Sequence, residues 1–211
     1  MAYDLEEQEQ LAQLKGWWKD HGSKVLMAII VLAAAASSWR GWEWYQRNQS
    51  AQASALYEQL VKGVAAGDAK AVRDATGSLF EGYGGSMYAS MAALTAAKFN
   101  FDRNDPKAAK LQLQWAVDKA RTDELRDLAR LRLAGLLMDE KAYDEALKLL
   151  EAKHADAFAA QYALLKGDLL VAKNQSAEAK AAYKLALEKA DKKQGGAFKE
   201  SVQVRLDALG G

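Results

Sequence analysis

The sequence predicts an all-α protein in which one N-terminal membrane-spanning helix precedes a domain of stacked helical hairpins. Residues 25–39 form an uncharged apolar run in an otherwise polar chain. Downstream, two long stretches align with each other when one is shifted by 33 residues. The chain also has a single proline and no run of alternating β-branched residues that would form a strand. Together these observations predict helix almost throughout.

The apolar run, VLMAIIVLAAAASSW, is predicted to be the core of a membrane span. As a helix its 15 residues extend about 22 Å, which is shorter than the ~30 Å hydrocarbon core of a bilayer. Tryptophans flank it, and the helical rise from Trp18 to Trp39 is about 32 Å, the spacing of two interfacial aromatic belts. We therefore predict a transmembrane helix at residues 21–43, with interface anchors at Trp17, Trp18, Lys24, Trp39, Arg40, Trp42 and Trp44.

Two other interpretations of this run stay open. One is the buried core helix of a soluble domain, although five of the six tryptophans fall at positions 17 to 44, which argues against it. The other is a cleaved signal peptide, because Ala34, Ala35 and Ala36 supply an A-x-A cleavage site. The long acidic segment before the run is unlike the short basic start of a signal peptide, which favours an uncleaved anchor.

Basic residues near the two ends of the predicted anchor indicate its orientation. Lys15, Lys19 and Lys24 lie toward its N-terminal end, whereas Arg40 and Arg47 lie toward the other end. Because cytoplasmic flanks carry the excess of Lys and Arg, this bias of three to two predicts a cytoplasmic N-terminus. The absence of cysteine fits a C-terminal domain in an oxidising compartment.

The predicted anchor divides the chain into a tail at residues 1–20, the anchor at 21–43, a polar linker at 44–54 and a helical domain at 55–211. The tail is either a short amphipathic helix or disordered. The whole chain has 29 basic and 28 acidic residues, so the domain is nearly neutral. Nucleic-acid-binding domains concentrate basic charge, and we therefore expect no nucleic-acid partner.

Internal repetition predicts the architecture of the helical domain. When residues 129–150 are shifted by 33 positions, small residues align with small ones and large residues with large ones. The aligned pairs are Ala134 with Gly167, Leu137 with Leu170, Ala146 with Ala179, and Leu150 with Tyr183. This alternation, with a period near 34, is typical of tetratricopeptide repeats. A small residue in the first helix lets the second helix approach closely, and the large residues fill the space to the next pair.

Weaker forms of the pattern extend the array in both directions. Ala97 and Ala109 occupy the small positions of an earlier hairpin, whose second helix begins at Pro106, where the missing N–H costs nothing. A still earlier pair is separated at Gly67. A last apolar stripe at residues 198–209 has no partner helix and predicts a cap. The prediction is a tetratricopeptide-like α-solenoid with a C-terminal capping helix.

The sequence contains no pattern suited to catalysis, cofactor binding or metal coordination. The two histidines, His21 and His154, have no metal-ligand spacing to another candidate, and the lack of cysteine excludes thiol chemistry. The glycine-rich segment at residues 82–85 lacks the lysine and the preceding strand of a phosphate loop. We therefore predict a binding protein and not an enzyme.

The order of these parts resembles the YfgM-like family, the ancillary subunits of the bacterial SecYEG translocon. The resemblance rests on the lead-in EEQEQLAQLKGWWKDHG, the anchor exit SWRGWEWYQ, the repeat segments KAAKLQLQWAV and ARLRLAGLL, and the terminal VQVRLDAL. It implies a single-pass protein of the cell inner membrane with its helical domain in the periplasm. The partners it implies are the SecYEG translocon, a membrane-tethered periplasmic peptidyl-prolyl isomerase-type chaperone, and unfolded secreted proteins that are handed to periplasmic chaperones.

The repeat pattern also selects a candidate groove. In such hairpins the first helix of each pair lines the concave face, at fixed offsets from Ala97, Ala134 and Gly167. Most positions at these offsets are large and apolar, which predicts a groove for unfolded apolar segments: Met91, Leu94, Phe101, Leu128, Leu131, Met138, Leu164 and Val171. The alternative is that the protein's own helices, such as residues 198–209, fill this face. A structural scaffold that assembles another envelope complex without binding clients is then the alternative function.

Overall fold

The computed structural model describes residues 2–190 and 195–210, and the side chains of all of these except residues 2–6 and 8. Residue 1 of the predicted tail, and residues 191–194 and 211 of the predicted helical domain, lie outside the described residues. The chain divides into two compact units, Met1–Gln49 and Ser50–Gly211. All regular secondary structure in the described residues is helical, which confirms the predicted fold class.

The first helix, α1 (Ala2–Ala66), contains the predicted tail, anchor and linker. Among the described residues it is the one helix that is long and apolar enough to cross a membrane. Its apolar side chains are uncovered: Leu26 is 55% exposed and Leu32 is 69% exposed. A core helix would bury these side chains, so the interpretation as a buried core helix is wrong, whereas a membrane span is expected to have such a surface.

Residues 44–54, for which the sequence predicts a polar linker, continue α1 without a break. Within this stretch Arg47 Nη2 donates to Glu43 Oε1 at 2.5 Å, an i,i+4 pair typical of an exposed helix. Ala53 is completely buried in the helical domain. The C-terminal end of α1 is therefore the first helix of the first hairpin, and its packing begins before residue 55.

The other helices follow in chain order and pair as hairpins. They are α2 (Ala69–Tyr83), α3 (Met87–Asp102), α4 (Pro106–Lys119), α5 (Asp123–Asp139), α6 (Tyr143–Leu150), α7 (Ala159–Ala172), α8 (Ser176–Lys189) and α9 (Gly195–Ala208). A short 3₁₀ helix, Asp156–Phe158, precedes α7. From α2 onward each helix packs against the next, and α5 also contacts both α3 and α7. This is the predicted solenoid, and α9 is its predicted cap.

The four hairpin turns share one backbone geometry. Each has a residue with φ between 60° and 69°: Gly67, Asn104, Lys141 or Asn174. The residue that follows donates its N–H back to a carbonyl oxygen of the preceding helix at 2.8 or 2.9 Å: Asp68 to Gly63, Asp105 to Asn100, Ala142 to Leu137, and Gln175 to Leu170. This is the hydrogen bond of a Schellman closure, which needs a left-handed residue just past the helix. The shared turn sets a common register for comparing the hairpins.

Counting from these turns shows a complementarity of size within each hairpin. The residue seven positions before the turn residue lies on the first helix, and the residue nine positions after it lies on the second. All of these residues are buried, and they pair as Leu60 with Thr76, Ala97 with Leu113, Ala134 with Leu150, and Gly167 with Tyr183. Where one helix has a large residue, the other has a smaller one, as close helix packing requires.

The pair of Gly167 and Tyr183 is the most extreme case. A Cβ atom on Gly167 would lie 2.3 Å from Cε1 and 2.5 Å from Cδ1 of the Tyr183 ring. The ring is held in place, since its hydroxyl donates to Asp168 Oδ1 at 2.8 Å. Burial and this carboxylate raise the pKa of Tyr183 above its ordinary value. The tyrosine on α8 therefore requires glycine on α7.

A buried ion pair holds the connection between α6 and α7. Asp127 is 1% exposed and accepts from Arg130 Nη1 at 2.7 Å and from the Ala155 N–H at 2.9 Å. The Tyr162 hydroxyl donates to the Asp127 carbonyl oxygen at 3.2 Å, and burial raises the pKa of Tyr162 to about 12. The His154 ring lies 4.3 Å from the Tyr162 ring. These contacts give His154 and its loop a role in packing.

Replacing Gly167 with alanine is expected to lower the unfolding free energy by about 1–3 kcal/mol, because the new methyl group overlaps the Tyr183 ring. Adding Tyr183→Leu places alanine on α7 opposite leucine on α8, the same combination as Ala134 and Leu150 in the preceding hairpin. The double variant should therefore recover most of the lost unfolding free energy. Urea denaturation of the single and double variants measures both effects. Gly135→Ala is the matched control, since nothing lies within 4 Å of its added Cβ. Equal destabilisation by both alanines would contradict the clash.

Candidate functional site

Two open hollows lie side by side on the first helices of the hairpins, and we refer to them together as the groove. The first, of about 540 Å³, is lined by Tyr57, Val64, Met91, Leu94, Thr95, Lys98, Phe99, Asp102, Arg103 and Arg132. The second, of about 450 Å³, is lined by Ala97, Lys98, Phe101, Asp102, Ala109, Leu113, Arg132, Gly135, Leu136, Met138 and Asp139. The two hollows share Lys98, Asp102 and Arg132, so they form one continuous surface.

Helix caps position the elements that line the groove. Ser86 Oγ accepts from the Ala89 N–H at 3.1 Å at the start of α3, and Thr122 Oγ1 accepts from the Leu125 N–H at 3.4 Å at the start of α5. The α4 helix begins at Pro106, behind a capping Asp105. Side-chain caps of this kind satisfy the free N–H groups of a first turn. These caps therefore fix where the helices that line the groove begin.

Four of the eight predicted groove residues line the hollows. Met91 and Leu94 lie in the first hollow, and Phe101 and Met138 lie in the second. Leu94 is only 6% exposed and contributes mainly to the core, whereas Phe101 is 48% exposed. Phe101 and the half-buried Met138 are thus apolar side chains of the second hollow that a bound segment could contact.

Leu128 and Leu131 line neither hollow. Both are partly buried and pack against the central core cluster, which also contacts Leu165 of α7. Because α7 packs beside α5, this end of α5 contributes its apolar residues to the core. On α5 the second hollow is lined by Arg132, Gly135, Leu136, Met138 and Asp139, of which Gly135 and Met138 lie at the predicted offsets from Ala134.

The last hairpin is closed by the capping helix. Leu164 packs against the cluster that contains Val202 and Leu206 of α9, and Arg205 Nε donates to Asp168 Oδ1 at 3.0 Å. Residues 198–209 therefore cover part of the predicted face in this hairpin, at Leu164. Val171 is 38% exposed and lines neither hollow.

Three functional candidates in the groove were not predicted: Tyr57, Arg103 and Arg132. The spacing of Arg132, Gly135 and Asp139 at i, i+3 and i+7 marks one stripe of a helix and is visible in the sequence. The offsets typical of these repeats select Gly135 and Met138 on α5, but not Arg132 or Asp139. Tyr57 was not considered because the sequence pattern of the first hairpin is weak.

The charges in the groove are unevenly paired. Lys98 Nζ donates to Asp102 Oδ2 at 2.7 Å, so this pair is neutral. Arg103 lies over the Phe99 ring at 5.3 Å from its centroid, a cation–π geometry. Arg132 Nη1 donates to the Leu94 carbonyl oxygen at 3.5 Å, a long contact. In the part of the chain that the structure describes, no carboxylate lies within 4.0 Å of either arginine.

The groove has the chemistry of a binding surface. Within the described ranges no three His, Asp or Glu side chains come together in a way that would hold a metal ion. The groove lining offers apolar, aromatic and cationic side chains, but no nucleophile beside a general base. Such a surface can hold a chain segment.

The predicted interface anchors are all exposed on α1. Trp17, Trp18, Trp39, Trp42 and Trp44 are 49% to 74% exposed, and Lys24 and Arg40 are exposed as well. The Trp17 ring stacks on His21 with 5.4 Å between centroids. Their exposure leaves these side chains available to lipid headgroups, which is the role that the sequence predicts for them.

Residues 15–211 match the family described as tetratricopeptide repeat-like domain. A protein of Haemophilus influenzae named ancillary SecYEG translocon subunit is 32% identical over 88% of this chain and 91% of its own length. A protein of the same name from Neisseria gonorrhoeae is 32% identical over 99% of this chain and 100% of its length. A protein of the same name from Escherichia coli is 27% identical over 84% of this chain and 85% of its own length. The family match covers both the predicted anchor and the helical domain.

Exposed groove residues and core residues should differ sharply in their effect on stability. Phe101→Ser is expected to change the unfolding free energy by less than about 0.5 kcal/mol, because its side chain is half exposed. Leu137→Ala should cost about 2–5 kcal/mol, because Leu137 is 1% exposed. Denaturation of the full chain in mild detergent, followed by circular dichroism, measures both. Equal losses would mean that Phe101 is a core residue and the groove is closed.

Proposed function

We propose that this chain works at the translocon as a membrane-anchored protein-binding module. It belongs to the tetratricopeptide repeat-like family of ancillary SecYEG translocon subunits. The shared name of its relatives supports a Sec-associated role. One long apolar helix among the described residues fits a single-pass protein of the inner membrane. The helical repeat fold and the names of the relatives point to a non-catalytic protein.

In this proposal the helical domain lies in the periplasm and receives newly translocated proteins while they are unfolded. It then hands them to periplasmic chaperones, with a membrane-tethered peptidyl-prolyl isomerase-type chaperone as its companion at the translocon. The single observation that carries the proposal is the open apolar groove between α3 and α5, where Phe101 and Met138 are accessible. Aromatic and methionine side chains adapt to many partner shapes, as a chaperone with varied clients requires.

Tethering explains how a weak site can serve this function. A domain held beside the translocon by a membrane helix meets each emerging chain at an effective concentration on the millimolar scale. At that concentration a dissociation constant near the millimolar range is sufficient for frequent capture, and release remains fast. Low affinity is also consistent with a groove of about 450–540 Å³ in each hollow, which accommodates only a few side chains.

The alternative function is a scaffold that assembles another cell-envelope complex and does not bind clients. The closed last hairpin favours this view for the C-terminal part of the array, because α9 occupies the face there. A scaffold contacts a small, fixed set of partners, whereas a chaperone contacts many unrelated chains. The two functions are therefore separated by the diversity of proteins found at the groove.

The proposed orientation, with a cytoplasmic N-terminus, rests on the lysines at the N-terminal end of the anchor. Because the chain contains no cysteine, single cysteines introduced by mutation can test this orientation. In intact spheroplasts a membrane-impermeant maleimide should label Glu188→Cys, on the exposed face of α8, and leave Gln13→Cys unlabelled. After lysis both should react. The reverse pattern would contradict the orientation. A mature protein that begins near Ser37 and washes off the membrane would instead identify a cleaved signal peptide.

Site-specific crosslinking tests the groove itself. We expect Met138→Cys, carrying a benzophenone maleimide, to crosslink to several unrelated secreted proteins arrested during translocation, because its side chain lines the second hollow. Leu111→Cys is the matched control, since Leu111 is an apolar residue that is 74% exposed on α4 and lines neither hollow. Crosslinks at Met138 to a few fixed partners only, or equal crosslinking from Leu111, would favour the scaffold.

A further inference from the structure

The two hollows of the groove differ in charge. The first is lined by three cations, Lys98, Arg103 and Arg132, and by one acid, Asp102, so its formal charge is +2. The second contains Lys98 and Arg132 together with Asp102 and Asp139, so its formal charge is zero. Because the hollows are continuous, a segment lying across both would meet an apolar, neutral surface at one end and a cationic surface at the other.

Arg132 lies where the hollows meet and has unused hydrogen-bonding capacity. A guanidinium carries five N–H donors, and the contact described for this one is the 3.5 Å approach to the Leu94 carbonyl oxygen. The neighbouring Lys98 is already paired with Asp102, which leaves Arg132 as the available cation on the shared wall. Planar guanidinium groups recognise carboxylates through two parallel hydrogen bonds.

Arg103 adds a second cation on the far side of the first hollow. Its guanidinium lies over the Phe99 ring, and within the described residues no carboxylate lies within 4.0 Å of it. Tyr57, whose hydroxyl lies 3.4 Å from Thr95 Oγ1, provides a polar contact on the wall formed by α1. A carboxylate entering the first hollow would therefore meet two guanidinium groups and no unpaired acid.

We propose that the groove selects segments of unfolded protein in which a carboxylate lies beside large apolar side chains, and that Arg132 binds this carboxylate. The apolar side chains occupy the second hollow, against Phe101 and Met138, while the carboxylate lies in the first hollow. This inference rests on the proposed client-binding function and adds a charge preference to it. The carboxylate belongs either to an Asp or Glu side chain or to the C-terminus of the segment, because both present the same group.

Peptide binding to the full chain in lipid nanodiscs tests the preference. The probes are short peptides of Leu, Phe and Ser, labelled at the N-terminus with an uncharged fluorophore, in which one position is Glu, Gln or Lys, each with a free or an amidated C-terminus. We expect fluorescence anisotropy to show about three- to tenfold tighter binding of the Glu peptide than of the Lys peptide. Arg132→Gln should remove this difference, because it deletes the guanidinium that binds the carboxylate.

Arg73→Gln is the matched control, since Arg73 is an exposed arginine on α2 that lines neither hollow, and it should retain the preference. Tighter binding of the free-acid than of the amidated Gln peptide would assign the carboxylate to a C-terminus. A preference for Glu in amidated peptides would assign it to a side chain. Thermal denaturation of Arg132→Gln verifies that the variant is folded.

The outcomes separate this inference from the function on which it rests. Equal binding of Glu and Lys peptides, or a preference that survives Arg132→Gln, would overturn the charge preference but leave an apolar client groove in place. If no peptide bound the wild-type chain at any charge, both the charge preference and the client-binding function would be overturned.

Discussion

The close approach of the two helices in each hairpin is the constraint on which the rest of the structure depends. The core consists largely of alanine, and where the helices pack together a small residue on one helix accommodates a larger one on the other. Alanine buries little apolar area, so a single hairpin gains limited stability by itself and depends on its neighbours. This explains why the hairpins are stacked without gaps and why α9 closes the C-terminal end, where the last hairpin would otherwise expose its apolar surface.

Most of the fold could be predicted from the sequence because its determinants are local. The apolar periods, the polar turns and the small positions at Ala97, Ala134 and Gly167 all indicate hairpins. The turn residues Gly67, Asn104, Lys141 and Asn174 add a shared backbone geometry that composition alone does not reveal, since lysine is an unusual left-handed residue. The continuity of α1 through residues 44–54 was missed because a polar, exposed helix and a polar linker have the same composition.

The groove was only partly predictable because it depends on contacts between hairpins. Phe101 and Met138 follow from the repeat register, but the packing of Leu128 and Leu131 into the core depends on how α7 lies beside α5. Arg103, Arg132 and Tyr57 come from three helices that are distant in sequence, and their proximity is a property of the fold. Likewise, the last hairpin is covered because α9 packs its apolar residues there, with Arg205 paired to Asp168 at the edge. Charges of this kind look like ordinary solvated residues until their neighbours are known.

The contact between Gly167 and Tyr183 also defines the smallest piece of this array that can be duplicated, exchanged or recombined. If α8 were moved beside α5, its tyrosine would face Ala134 and collide with the methyl group. If α6 were moved beside α7, Leu150 would face Gly167 and leave a void. Each exchange of a single helix is therefore harmful, whereas a hairpin moved as a whole retains its own size match. New arrays of this type, natural or designed, should consequently be assembled from intact helix pairs joined at the surfaces between hairpins.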